Sequence, residues 1–114
     1  MVNSPTYNSA GYFTFNGTNQ GTAVARNNNI QDDFTLSTWF KTTSNAGSTG
    51  EWRSGRGLID ASWNAGNDFG LTMGQGKLMF GTGSPNVTST SPLTYNDGNW
   101  HNVITTRTKA TGAL

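Results

Sequence analysis

The stretch Phe34-Thr35-Leu36-Ser37-Thr38-Trp39-Phe40-Lys41 constrains the fold more than any other part of the chain. Its bulky apolar groups recur at every second position, so an extended backbone puts Phe34, Leu36 and Phe40 on one face. Thr35, Ser37, Trp39 and Lys41 take the other. No helix could bury that set on one side, and the rest of the chain offers no helical alternative. There is one glutamate, Glu51, and no window repeats apolar residues at i, i+3, i+4 and i+7. Phe69, Leu71 and Met73 alternate with Gly70 and Thr72. Gly74-Gln75-Gly76 then turns the chain tightly into Lys77–Gly81, predicting a β-hairpin.

Weaker strands are expected at Tyr12–Asn16, Gly21–Ala25 and Gly57–Asp60, and a clear one at Trp100–Thr106. In the last, Trp100 and Ile104 fall on one face and Val103 on the other, which predicts a strand covered on both sides. The connections are rich in turn formers: Asn16-Gly17, Asn27-Asn28-Asn29, Ser84-Pro85-Asn86 and Asn96-Asp97-Gly98. Short strands punctuated in this way predict a single all-β domain, an antiparallel sandwich or barrel. Ser44–Arg56 is the longest insertion and the candidate binding loop.

Composition narrows the function. In 114 residues the formal net charge is +1, and charged residues make up 11%. Such a chain lacks the dense basic footprint that nucleic acid requires. No apolar run approaches the roughly 18–20 residues of a membrane span. With no cysteine and one histidine, thiolate metal sites, disulfides and a histidine cage are excluded. Gly, Ser, Thr and Asn fill half of the chain, a style expected of extracellular, cell-surface or virion proteins.

The residues also carry a resemblance. Phe13–Thr18 resembles the opening strand and turn of laminin-G-like, concanavalin A-like jelly-roll domains. Asp33–Lys41 is similar to their "FTLSAWFK" strand. Gly57–Ile59, Asn67–Leu71 and Gly76–Phe80 follow in the family's order, and Asn96–Val103 resembles its "DGxWHHV" segment. The likeness runs over residues 10–111 and implies an antiparallel β-sandwich of the jelly-roll type. In the family, the segment matching Thr106–Leu114 leads into a strand reading like "LYVDG" and then into more strands. The chain therefore resembles the first half to two thirds, roughly, of such a domain, and is expected to be truncated, to be completed by another chain, or to close as a smaller sandwich in a different way. A sandwich lacking strands exposes backbone edges and an apolar face.

Some relatives of this kind hydrolyse glycosides, which takes two carboxylates about 5–9.5 Å apart. Here Glu51 stands alone and the aspartates are dispersed at 32, 33, 60, 68 and 97, so no enzyme is expected. His101 has no nucleophile motif to serve and reads as structural. Many relatives bind calcium, which draws six to eight oxygens from carboxylates and carbonyls. Asp60 and Asp68 are the candidate ligands, with Asn64 and Asn67 nearby. Ser54-Gly55 stands where pentraxin-like relatives have an Asp-Asn pair, so that particular site does not carry over.

For sugars, the useful groups are flat aromatic faces beside forked hydrogen-bonding side chains. Trp52 and Trp63 fall in loops with Arg53, Arg56, Asn64 and Asn67, and are the candidate ligand-binding set; Trp39 is a weaker one. The resemblance thus implies a non-enzymatic carbohydrate-binding or adhesion module whose partner is a glycan or surface glycoconjugate. The alternative is a structural block of a fibre, capsid decoration or surface layer, a homo-oligomer or larger assembly joined through open sheet edges. Asn16-Gly17-Thr18 and Asn86-Val87-Thr88 are acceptors for N-glycosylation in a pathway that uses them.

Overall fold

In the computed structural model, residues 1–24, 32–61, 68–83 and 86–114 are described. They form eight strands in three antiparallel sheets, with no α-helix. Strands β1 (Thr6–Asn8) and β2 (Tyr12–Thr14) make a small hairpin, closed where the Asn8 carboxamide accepts the Ala10 N–H at 2.9 Å. Strands β3 (Phe34–Lys41) and β8 (Trp100–Arg107) pair with each other over eight consecutive positions without a break. Strands β4 (Arg56–Asp60), β5 (Phe69–Gly74), β6 (Lys77–Gly83) and β7 (Asn86–Thr94) form the third sheet in sequence order.

The β5–β6 hairpin turns as expected. Gln75 and Gly76 sit at φ +50 and +78, the doubly positive pattern that matches the natural twist of paired strands. Its apolar face carries Phe69, Leu71 and Phe80, all buried. The alternating residues of β3 meet that face: the Phe34 ring lies 4.7 Å from Phe69 and 6.0 Å from Phe80. The two sheets thus stack as a sandwich-like pair of layers, with Phe34, Leu36 and Phe40 pointing inward as the alternation requires.

Three features depart from the sequence expectations. Gly21 only bridges to Val2, and Thr22–Val24 join no sheet; Ala25 lies outside the described residues. Strand β7 was not expected. Its Asn-Val-Thr-Ser-Thr-Ser-Pro-Leu-Thr run is polar, yet threonine favours extended backbone, and Pro92 is tolerated because β7 is an edge strand. Finally, β8 is covered on one face only. Trp100 and Ile104 are exposed, because the four-stranded sheet lies against the inner side, while on the outer one the Tyr12 ring of β2 meets Trp100 alone among the described aromatic pairs.

Candidate functional site

The expected binding loop is built into the far side of the four-stranded sheet. Gly70 and Gly81 face each other across β5 and β6, and with Gly83 they leave a trough without side chains beside Thr72 and Met79 on that face. Into this trough drops Trp52, on a short 3-10 turn (Trp52–Ser54), with 1% of its surface exposed. A Cβ at Gly70 or Gly81 would run into the indole. Thr72 Oγ1 donates to the Trp52 carbonyl at 2.7 Å, and the Trp52 N–H donates to Thr88 Oγ1 at 3.2 Å. Trp52 is therefore core to this sheet, and its faces are closed to a sugar. The correction has a plain cause: a large apolar side chain beside a glycine-lined surface gains more from burial than from solvent.

The neighbouring candidates follow Trp52. The Arg53 guanidinium lies 5.1 Å from the centre of the indole and bonds Asp68 Oδ2 at 2.9 Å. Asp68 is buried, so this pair settles a carboxylate that burial alone would penalise. Among the described residues, Asp68 Oδ1 and the Trp52 indole N–H are buried without a hydrogen-bond partner. Arg56 is exposed at the start of β4 and lines a cavity of about 80 Å³ with Leu58 and Met73. Small-molecule sites run to roughly 300–1,000 Å³, so this one is too small for a sugar ring. Asp60 is exposed at the end of β4.

Among the described residues, no three acidic, histidine or cysteine side chains gather to hold a metal ion. Asp68 Oδ2 is already bonded to the Arg53 guanidinium, whose positive charge opposes a cation beside it. The described donors do not amount to a calcium cage. Trp63, Asn64 and Asn67 lie outside the described residues.

A different surface gathers the features that the loop was expected to supply. On the outer side of β3 and β8, four cross-strand pairs stand in the open: Thr35 with Thr106, Ser37 with Ile104, Trp39 with Asn102, and Lys41 with Trp100. Trp39 is 66% exposed, Ile104 64% and Trp100 44%. Trp39 and Trp100 are diagonal neighbours in this register, about 7–8 Å apart at Cα and within reach of one ligand. The Tyr12 ring meets Trp100 edge-on, 5.2 Å between centres, and steadies it. The Asn102 amide donates to the Thr38 carbonyl at 3.1 Å, which fixes its carbonyl oxygen beside Trp39. The face is flat, aromatic at its centre and edged by hydroxyls, an amide and an ammonium group.

The alternation of β3 already placed Trp39 opposite the core. What the sequence did not reveal was that Trp100 and Ile104 would join it in solvent.

His101 sits inside, between the rings of Phe40 (5.7 Å) and Tyr95 (5.3 Å). Its Nε2 bonds Asp97 Oδ1 at 2.8 Å. The Asn99 backbone N–H, followed by His101, lowers the Asp97 pKa to about 2. This clasp holds the turn into β8, as expected of a structural histidine.

Comparison with known proteins gives no match: no family model fits the chain, and no curated protein or solved structure is similar to it. Among the described residues, no helix is long and apolar enough to cross a membrane.

Proposed function

We propose that this chain is a non-enzymatic carbohydrate-binding or adhesion module of a secreted, cell-surface or virion protein, and that the outer face of β3 and β8 meets the glycan. The observation that supports this reading most is the pairing of exposed Trp39 and Trp100 on one flat surface. An indole matches the apolar C–H face of a pyranose, while Asn102 opposite Trp39 and Ser37 next to it on the same face offer hydrogen bonds to its hydroxyls. Such a shallow site binds weakly alone, and repeating it raises avidity by roughly 10²–10⁴.

Binding to a panel of insoluble and immobilised polysaccharides tests the reading. Trp39→Ala and Trp100→Ala are each expected to weaken retention roughly tenfold, equivalent to about 1.4 kcal/mol. Retention that survives both changes, or no retention on any polysaccharide, overturns it.

A second reading is favoured by one observation. Neither β3 nor β8 pairs with a third strand among the described residues. That suits a structural block that assembles by adding strands to these edges.

A further inference from the structure

Among the described residues, the two stacked layers have four sheet edges, and they are treated differently. At one edge of the four-stranded sheet, β4 is five residues long and its register breaks between Gly57 and Ile59. At the other edge, β7 carries Pro92, and its register against β6 breaks between Lys77 and Met79. The Leu78 N–H near that break goes to the Ser91 hydroxyl at 3.0 Å, and the same hydroxyl donates to the Leu93 carbonyl at 2.8 Å. Breaks, proline and local side-chain bonds are the devices that stop a sheet from growing. Strands β3 and β8 have neither the breaks nor the proline. They are eight residues each, regular throughout, and free of proline.

We infer that these two bare edges take a second copy of this chain, β3 of one copy pairing antiparallel with β8 of the next in the register that the two strands already use. The inference rests on the assembly reading above and names its partner. Two properties of the strands select a copy of the same chain.

The first is geometric. Opposed residues in an antiparallel pair alternate between two hydrogen-bonding types. Ser37 and Ile104, opposed within the chain, are of one type on their shared side, and both are of the other type on their outward sides. The internal register is therefore allowed again between copies, and it keeps Phe34, Leu36 and Phe40 on the inner face.

The second property is charge. Asp32 and Asp33 stand at the start of β3, while Arg107 and Lys109 stand at the end of β8. Within the chain Lys109 already pairs with Asp32, and its backbone N–H with Asp33 at 2.7 Å. A neighbouring copy sets its basic end against the acidic start of β3 in the same sense, so like charges never meet along the row. The pairing is head-to-tail, and a head-to-tail contact builds rings or filaments rather than a closed pair.

Sedimentation of the whole chain across a wide concentration range is the test. The expected result is growth in mass above 12.2 kDa with concentration, suppressed by the combined charge variant Ser37→Lys, Thr106→Lys. Because loss of growth in that variant alone does not separate lost pairing from lost folding, cysteine pairs give a second measure in a chain with no natural cysteine. Ser37→Cys and Ile104→Cys, mixed and oxidised, are expected to cross-link to each other, and neither to itself. Cross-linking of Ser37→Cys with itself alone overturns the head-to-tail pairing.

A constant mass of 12.2 kDa also overturns the inference, and a synthetic peptide of residues 99–108 then separates the two levels. If the peptide adds to the chain, strand addition stands and the second copy falls. If it does not, both fall. Because Ser37, Ile104 and Thr106 also lie on the proposed glycan face, polysaccharide retention is read on the unaltered chain, so that the two proposals fail separately.

Discussion

The two stacked layers differ in how completely they are covered. In the four-stranded sheet, β5 is buried at all six positions. The β3–β8 layer lies on one side and Trp52 with its loop on the other, and both edges are broken. In the two-stranded layer, every second residue is open to solvent and both edges are regular. A two-stranded sheet is marginal in water unless it packs on something. Here one side packs on Phe69 and Phe80, and the other displays two indoles and an isoleucine. The lesson is that the four-stranded layer is closed on both faces, whereas the two-stranded layer, among the described residues, leaves one face and both edges open. Burial and exposure are thereby separated onto different sheets.

That division predicts opposite behaviour for two tryptophans. Trp52→Ala is expected to cost about 3–5 kcal/mol, which is most of the stability of a small domain. Trp39→Ala is expected to stay within about 0.5 kcal/mol. Urea titration of both variants checks this, and a large loss at Trp39 would break the separation. A smaller effect is expected at the pin of the loop. Arg53→Ala leaves the Asp68 carboxylate buried without its partner. Because Arg53 is itself partly exposed, the cost is expected near 1–3 kcal/mol rather than the full value of a buried pair. Asp68→Asn in the same background is expected to recover part of it.

The smallest effect concerns acid. The folded pKa of Asp97 lies below its ordinary value of 3.8, at about 2, so its contribution is complete above the unfolded pKa. It fades as pH falls from there through about 2. Asp97→Asn is expected to remove that contribution, lowering stability near neutrality and flattening the profile in that window, with the two proteins converging at the acid end. Thermal melts of both proteins across the range read the difference.

The sequence disclosed the inner architecture well. The alternation of Phe34–Lys41 set its inward face, and the glycine turn at 74–76 set the β5–β6 hairpin, because both signals are local. Trp52 was harder, since its burial depends on residues far along the chain. A clue was nonetheless present: Gly70, Thr72 and Gly74 are small on one face of a strand whose other face carries Phe69, Leu71 and Met73. A face emptied of bulk in that way implies that something large lies over it. Strand β7 was hidden because hydroxyl side chains suit an edge strand and a loop equally. Trp100 and Ile104 read as buried because apolar residues on two faces usually mean two covers, and here only one is present.

The trough beneath Trp52 also bears on how such a chain can vary through descent. At Gly81 a single added methyl strikes both the indole and the Val87 carbonyl, so the lightest residue in the sheet tolerates no change on its own. Trp39, among the heaviest in the chain, can be exchanged with little harm to folding. Lineages carrying this protein would then keep their smallest residues fixed and let their largest exposed ones wander with the surface they meet. Bulk, the ordinary marker of constraint, would here point the wrong way.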